Sequence, residues 1–300
     1  MPEAAPHVSI IIPAHNAAWS LEECLAAVAQ QTYPEESREV IIVDNNSTDA
    51  TVETARAHGI EPLSCAEPGP SAARNVGVTA AQGEIVAFLD SDAVPDADWL
   101  ERLLEPFAEP EIGGVGGAIM PYRVQTGAEV HAYTCGMLDQ RRQLAGELPF
   151  MPPFTATANA AFRADVVREI GGFDETLFVG EDADLCWRMQ WAGHRLHYAE
   201  RAMVRHHHRA NVWPYLRQTF WYGHGTARLF AKHRKRLGRR VWIEWKLYPL
   251  LLAALALIPI MPFIGKDGWE KVKPLYDLAS GLSWTGGRLL GSLQKFVIVM

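Results

Sequence analysis

Short apolar runs alternate with polar and amphipathic stretches over the first 200 residues. Three of these runs have the length of a buried strand, at 7–12, 39–44 and 84–89. The segments that separate or follow them predict helices, at 20–31, at 45–59 after a polar turn, and at 69–83. A β-α-β-α order of this kind predicts an α/β fold with a Rossmann-like, doubly wound, mostly parallel sheet.

The first predicted helix has one apolar face that can cover such a sheet. Leu21, Leu25 and Val28 recur at helical spacing, and Ser20 is a candidate N-cap. The second predicted helix ends at Gly59, a residue that readily adopts the left-handed conformation common after a helix. Both segments therefore predict helices that pack on the sheet.

The pattern becomes less regular after residue 111. A Gly-rich run at 113–120 and a run at 154–162 predict strands, and 128–143 is helix-like. The segment 181–193 predicts an amphipathic helix that stops at Gly193. These elements extend the predicted α/β fold to about residue 200.

Charge is distributed unevenly along the chain. The net charge is −7, but residues 201–250 contain 12 Lys or Arg and one acid, a net +11, which leaves −18 elsewhere. A basic block of this strength indicates contact with nucleic acid, anionic lipid or phosphate. The four cysteines have no C-x-x-C spacing, which predicts reduced thiols in the cytosol.

An uncharged run of 18 residues, 247–264, follows the basic block. Its length is borderline for crossing a bilayer, its three prolines would kink a helix, and basic residues flank both ends. These features predict a re-entrant or interfacial segment, with 275–300 as a second interfacial helix and no nucleic-acid partner. The alternative is a buried hydrophobic tail or an oligomer interface. The oligomeric state stays open.

Carboxylates follow two of the predicted strands. Asp44 ends the second strand, and Asp90 and Asp92 follow the third. Ligands of open α/β sheets bind at the carboxyl ends of the strands, so these side chains are candidates for a site. In an extended strand, residues i and i+2 share a face, which would let Asp90 and Asp92 address one cation, either Mg²⁺ or Mn²⁺. The equal alternative is a polar turn that closes a buried strand, since Asp is common before Pro.

Five motifs then occur in order: VSIIIPAHN, EVIIVDNNSTDAT, ARNVG, GEIVAFLDSDAVPDADWL and FVGEDADLCWRMQWAGHRLHY. In this order and spacing they resemble the family 2 glycosyltransferases of the GT-A fold, over roughly residues 7–230. The resemblance implies inverting transfer of a hexose from a nucleotide sugar with a divalent cation. It divides the chain into a catalytic domain at 1–230 and a membrane-associated helical region at 231–300.

The resemblance also implies roles for the residues of the nucleotide side. Asp92 would bind the metal, and Asp90 would contact ribose or a metal-bound water. Asp44 would accept a hydrogen bond from uracil N3–H, and Arg74 would reach the base or ribose. The turn that surrounds the base consists of Pro13, Ala14, His15 and Asn16, with Asn45 beside it. The family often has Tyr where His15 stands, and both asparagines are equally typical of plain turns.

The catalytic base implied by the resemblance is Asp182, with Glu181 orienting the sugar or the acceptor. The alternative is that both acids stand there only because the dipole of a helix favours negative charge at its N-terminus. His206 or His208 would complete the metal ligands, His206 being preferred, because strand alternation would put both on one face. Arg217 would clamp the diphosphate.

Thr157 and Asn159 occupy alternate positions of the predicted strand 154–162. They are candidate contacts to the donor sugar, with buried polar residues of a strand as the equal alternative.

A base is needed for a sugar hydroxyl but not for an anionic polyprenyl phosphate. The acids therefore favour a saccharide or lipid-linked glycan acceptor, used by a membrane-associated enzyme whose catalytic domain is cytoplasmic. The Q-x-x-R-W signature of processive synthases is absent after Gln218. The alternatives are a polyprenyl-phosphate glycosyltransferase and a non-catalytic sugar-nucleotide-binding membrane protein.

Overall fold

The computed structural model describes residues 7–148, 151–238, 241–242, 249, 252–253, 255–256, 268–295 and 298–299. The chain forms two compact units. The first contains Met1–Tyr122 and Leu138–His207, and the second contains Arg123–Met137 and His208–Met300. This division differs from the expected boundary at 230, because the second unit begins at His208 and takes in an earlier segment. The functional division at 230 stays a prediction.

The first unit contains an eight-stranded sheet with the strand order β3-β2-β1-β4-β7-β6-β8-β5. Its strands are β1 Val8–Ala14, β2 Arg38–Asp44, β3 Leu63–Ser64, β4 Ile85–Leu89, β5 Ala93–Pro95, β6 Ile112–Pro121, β7 Asn159–Arg163 and β8 Arg195–His206. The neighbours β3, β2, β1 and β4 are parallel, as are β6 and β8, whereas β7 and β5 are antiparallel to their neighbours. The predicted α/β class is confirmed, but the sheet is mixed.

Helices surround this sheet. They are α1 Ala18–Ala29, α2 Thr51–Ala57, α3 Pro70–Ala80, α4 Trp99–Leu104, α6 Gln140–Leu144, α7 Ala164–Glu169 and α8 Glu181–Trp191. Consecutive residues of β1, Ile10, Ile11 and Ile12, are all fully buried, so both faces of this strand are covered. Burial on both faces explains why the central strands have continuous apolar runs.

Three predicted details are wrong. Helix α1 begins at Ala18, and the Ser20 hydroxyl donates to the Ala17 carbonyl (3.3 Å) instead of capping the helix. The stretch 128–143 is not one helix, because Gly136 adopts a positive φ of 72° between α5 Gly127–Thr134 and α6. The strand expected at 154–162 begins only at Asn159. The four cysteines are free, as predicted.

The second unit contains α5, α9 Val212–His233 and α10 Gly268–Lys295, with short parallel strands β9 Val241–Trp242 and β10 Ile298–Val299. Among the described residues, none of the helices combines the length and the apolar character needed to cross a membrane. Most of the uncharged run 247–264 lies outside the described residues. Helix α10 accounts for most of the predicted helix at 275–300.

A buried histidine ties the three helices of the second unit together. His131 on α5 donates from Nε2 to the Asp277 carboxylate of α10 (2.9 Å), and its Nδ1 lies 2.5 Å from the Tyr215 hydroxyl of α9. Burial lowers the pKa of His131, although Asp277 opposes this effect. The neutral ring therefore accepts a hydrogen bond from the Tyr215 hydroxyl at Nδ1 and bridges all three helices.

Candidate active site

Two strand ends bring carboxylates and an imidazole together. The chain turns sharply after β4, where the Ala93 amide donates to the Asp90 carbonyl (3.0 Å). Ala93 then pairs with His206, the last residue of β8. As a result, His206 Nε2 lies 3.1 Å from Asp92 Oδ1 and 3.6 Å from Asp90 Oδ2.

This geometry corrects the reason given for two of the predictions. Asp90 and Asp92 do not share the face of a strand, since they lie on a turn, and the turn itself makes their carboxylates converge. His206 and His208 do not alternate along one strand, because β8 ends at His206. His208 belongs to the second unit, so its role as a ligand stays a prediction.

The three side chains fit a divalent cation. One ligand atom each from Asp90, Asp92 and His206 lies within 4.8 Å of the other two. Carboxylates suit Mg²⁺ and Mn²⁺, and an added imidazole favours Mn²⁺ as the softer of the two. Burial would lower the pKa of His206, but Asp92 and Asp90 outweigh burial and raise it to about 10. Without a cation, the imidazolium partly neutralises the two acids.

We expect cation binding to release a proton from His206. At pH 7 the metal-free site holds a protonated imidazole, whereas a metal ligand must be neutral. As the pH is raised towards 10, the apparent affinity for Mn²⁺ should therefore increase by up to about tenfold for each pH unit. Calorimetric titration with Mn²⁺ at pH 7 in buffers of different ionisation enthalpy measures the protons released.

His206→Gln is the matched variant, since glutamine offers a neutral side chain with no titrating group. It should bind Mn²⁺ more weakly and without proton release. The stability of the metal-free protein gives a second measure, because the folded pKa lies above the unfolded one. The contribution of His206 is complete below about pH 6.5 and is lost as the pH rises through about 10. A heat independent of the buffer in the wild type would contradict this prediction.

Arg74 on α3 links the cation site to the start of α8. Its Nη1 donates to Glu181 (2.7 Å), and its Nη2 lies 3.4 Å from Asp90. The guanidinium is buried and stands 5.7 Å above the ring of Phe173. Burial alone would lower the pKa of Arg74, but Glu181, Asp90 and Asp182 raise it. The positively charged guanidinium of Arg74 is therefore held in place by the surrounding carboxylates.

The two acids at the start of α8 have different surroundings. Burial and Asp182 raise the pKa of Glu181 to about 7, against the effect of Arg74. Burial also raises the pKa of half-buried Asp182, whose Oδ1 accepts a local hydrogen bond from the Ala183 amide (2.7 Å). Glu181 is thus engaged by a guanidinium, and Asp182 is the better placed of the pair to accept a proton.

A cleft of about 750 Å³ lies beside these groups. Its lining includes predicted residues and others that the sequence did not indicate: Pro13, Ala14, His15, Asn45, Asn46, Ala66, Pro68, Gly69, Pro70, Ala73, Arg74, Asp90 and Phe178. Phe178 is 59% exposed and precedes α8 by a short loop. Sequence reasoning missed it because one loop aromatic has no periodicity, although its place just before the two acids was a usable signal.

The turn after β1 is held by hydrogen bonds from its own side chains. His15 donates from Nδ1 to the Asn45 carbonyl (2.7 Å), and Asn16 accepts from the Thr48 amide (2.8 Å). Pro13 and Ala14 are the last residues of β1. Asn16 adopts a positive φ of 50°, as turn asparagines do.

Asn45 and Asp44 follow at the end of β2. The Asn45 amide donates to the carbonyls of Cys65 (3.0 Å) and Glu67 (2.7 Å) and accepts from the Gly69 amide (2.8 Å). These bonds favour the turn-residue alternative, in which Asn45 shapes the cleft. The Asp44 carboxylate accepts from the Ser47 amide (3.3 Å) and is partly exposed, so it retains acceptor capacity.

Asn159 is fully buried, and both of its donor hydrogens are used inside the sheet. Its amide donates to the carbonyls of Ala118 (2.8 Å) and Ala202 (2.9 Å) and accepts from the Trp99 indole (2.7 Å). This bonding favours the buried polar alternative over a contact to the donor sugar. Thr157 is also buried, and it lies in the turn before β7 instead of in a strand.

Asn159→Ala should therefore destabilise the protein by about 3 kcal/mol, because it leaves two carbonyls and an indole N–H buried without this partner. Chemical denaturation measures the free energy of unfolding. The control is Asn211→Ala at an exposed position whose side chain makes no capping bond, with an expected change within about 0.5 kcal/mol. Normal stability with a raised KM for the donor would instead support the sugar contact.

Arg217 lies exposed on α9 in the second unit. Its predicted role as a diphosphate clamp stays a prediction.

Comparison with known proteins identifies the family. The model of "Glycosyl transferase family 2" matches residues 9–171, more than half of the chain. The chain belongs to glycosyltransferase family 2. A "pre-mycofactocin glycosyltransferase" of Mycobacterium tuberculosis is 36% identical over 234 residues, or 75% of this chain, and the chain spans about half of that relative's length (48%).

A second relative matches along the whole of this chain. "Glycosyltransferase AglE" of Haloferax volcanii is 32% identical over 306 residues, which cover 100% of this chain and 93% of the relative. Among solved structures, the mannosyltransferase PcManGT from Pyrobaculum calidifontis, in complex with GDP-Man and Mn²⁺, has a TM-score of 0.71. It is 20% identical and covers 98% of this chain and 89% of its own, a likeness that shows a shared GT-A fold.

Proposed function

We propose that this family 2 protein is an inverting, metal-dependent glycosyltransferase that moves a sugar from a nucleotide sugar to a saccharide hydroxyl. The arrangement that carries the proposal is the group formed by Asp90, Asp92 and His206. Arg74 joins this group to Glu181, the neighbour of Asp182 at the start of α8. A cation site and a free carboxylate at one end of the same sheet are what such a transfer needs.

The proposed donor is a UDP-sugar. The partly exposed Asp44 carboxylate at the end of β2 would accept the N3–H of uracil. A carboxylate also accepts hydrogen bonds from guanine, and the structural neighbour PcManGT was solved with GDP-Man. GDP-sugars therefore belong in any donor panel, and a GDP donor would change the nucleotide but not the reaction.

The proposed cofactor is Mg²⁺ or Mn²⁺, held by Asp92 and His206 with support from Asp90. When bound, the cation neutralises charge on the departing diphosphate. The protein's own contribution is to hold the three ligands at the turn after β4, next to the Arg74 guanidinium. The structural neighbour PcManGT was solved in complex with GDP-Man and Mn²⁺, which makes Mn²⁺ the first cation to test.

Asp182 is the proposed base. As the acceptor oxygen attacks the anomeric carbon and the bond from sugar to phosphate breaks, the Asp182 carboxylate takes the hydroxyl proton. One displacement inverts the anomeric configuration. Glu181 keeps Arg74 in place through its 2.7 Å contact and so positions the site without taking the proton itself.

The proposed acceptor is a lipid-linked glycan at the cytosolic face of a membrane, where the enzyme would also contact membrane lipid. A base is required for a glycan hydroxyl, whereas a polyprenyl phosphate is already anionic at neutral pH. The test supplies purified protein with labelled donor and three acceptors: a lipid-linked oligosaccharide, the same free oligosaccharide and a polyprenyl phosphate.

The expected product is an extended oligosaccharide whose new linkage has the opposite anomeric configuration to the donor, as measured by proton NMR. Retention of configuration would contradict the displacement by one step. Transfer to the polyprenyl phosphate alone would replace this proposal by the alternative polyprenyl-phosphate reaction. Donor binding without any transfer would favour a non-catalytic sugar-nucleotide-binding protein.

A further inference from the structure

Helix α10 of the second unit leaves a stripe of large apolar side chains exposed. Val272, Leu275, Leu282, Leu289 and Leu293 are between 37% and 74% exposed, with Leu293 the most exposed. Their spacing of three, four or seven residues puts them on one side of the helix. Aligned apolar exposure of this kind is unusual for a surface that only faces water.

This stripe is distinct from the side of α10 that packs on α9. The two helices touch where glycines allow their backbones to meet: a Cβ at Gly287 would overlap the Phe220 carbonyl oxygen, and one at Gly223 would overlap the Trp284 carbonyl oxygen. Close packing through small residues is frequent between helices in lipid. The exposed leucines therefore do not take part in the packing of α9 on α10 and are available to contact a surface outside this helix pair.

A cluster of cations lies at one end of the same pair. Both helices run in the same direction, because Ser283 bonds to Leu216 (2.6 Å) and, farther along both helices, Gln294 bonds to His224 (2.8 Å). Their final turns therefore lie at the same end. There, the end of α9 and the residues after it present the exposed Lys232, Arg234, Lys235 and Arg236.

The positive charge of the second unit distinguishes between two possible partners for this surface, a second copy of the chain and an anionic bilayer. The residues of the second unit include 16 Lys or Arg and five acids, a net +11, whereas the first unit carries −18. Two copies joined through this surface would bring two such positive units together. An anionic bilayer instead attracts basic residues and accepts leucines at its interface.

We propose that the leucine stripe of α10 and the basic end of α9 dock the second unit in the plane of an anionic lipid bilayer. This inference rests on the proposed function in one respect, since a lipid-linked acceptor is presented at such a surface. Docking itself requires no catalysis, so the two can fail separately.

Vesicle flotation tests the proposal with the full chain. The probes are phosphatidylcholine vesicles with and without about 30 mol% phosphatidylglycerol. We expect binding to the anionic vesicles that weakens as salt is raised, and much weaker binding to the neutral ones. Equal binding to both vesicle types, or none to either, would overturn the proposal.

Two double variants separate the apolar and charged parts. Leu289→Gln with Leu293→Gln, and Arg234→Gln with Lys235→Gln, should each lower the vesicle partition coefficient about tenfold or more. The matched controls, Leu63→Gln and Arg201→Gln, change exposed residues of the first unit and should have no effect. Unchanged thermal melting checks that each variant folds.

The competing occupant is a second copy of the chain. Sedimentation velocity without lipid would reveal it as a dimer that the leucine variant dissociates, and such a dimer without vesicle binding would overturn the lipid surface. Transfer to a water-soluble acceptor should be unchanged in both double variants. If the wild type binds vesicles but transfers no sugar, the proposed function fails while the docking surface stands.

Discussion

Asp182→Asn is expected to lower kcat about 1000-fold while leaving the binding of donor and cation nearly unchanged. The substitution keeps the size of the side chain and can keep its bond to the Ala183 amide (2.7 Å), but it removes the ability to take a proton. The other two carboxylates in the first turn of α8 are each paired with a guanidinium, Glu181 with Arg74 and Asp184 with Arg188, so Glu181 should not replace Asp182 as the base.

A matched control is available on α7. Asp165 accepts a bond from the amide of the next residue, Val166 (2.8 Å), in the same way as Asp182. Asp165→Asn should therefore have the same local consequence and leave kcat unchanged. Steady-state kinetics of nucleotide release, with isothermal titration of the nucleotide, separate kcat from binding. An Asp182→Asn enzyme with near-normal kcat would show that another group is the base.

Asp92→Ala should weaken Mn²⁺ binding about 100-fold or more and abolish metal-dependent transfer. Changes to groups that only support a metal ligand already cost about 10- to 100-fold in affinity, so loss of a direct ligand costs at least as much. The substitution also deprives His206 of a partner at 3.1 Å, leaving Asp90 at 3.6 Å. Calorimetry with Mn²⁺, alone and with UDP, measures the effect.

The control for this variant is Asp98→Ala, which removes a carboxylate that pairs with Arg102 at the surface of α4. Its Mn²⁺ affinity should equal that of the wild type. Unchanged Mn²⁺ binding in Asp92→Ala would exclude the turn after β4 as the cation site, even if the enzyme had lost activity.

The central strands could be predicted from the sequence because burial on both faces leaves one signal, an unbroken apolar run. Strands β1, β2 and β4 lie within a residue or two of their predicted positions. The orientation of β7 could not be predicted, because an antiparallel insertion leaves no mark on the residues of a buried strand. The break at Gly136 likewise depends on a backbone conformation that the helical pattern conceals.

The candidate site likewise contains features that could be predicted from the sequence and features that could not. Residue types and their order indicated Asp90, Asp92 and His206, but the reason was wrong, because a turn and a strand pairing bring them together and not strand alternation. Long-range contacts were out of reach: nothing local to Arg74 announces its contact to Glu181, 107 residues away. The bonds of Asn159 to three distant segments were equally hidden.

The most direct test of the proposed function is a donor panel with the full chain. UDP-, GDP- and dTDP-sugars are incubated with a glycan acceptor and Mn²⁺, and released nucleoside diphosphate is measured with and without a chelator. We predict release from one donor or a few related ones, dependent on acceptor, abolished by the chelator and nearly absent in Asp182→Asn. Release that persists in the chelator, or that is equal in Asp182→Asn, would contradict the proposed metal-dependent transfer by this site.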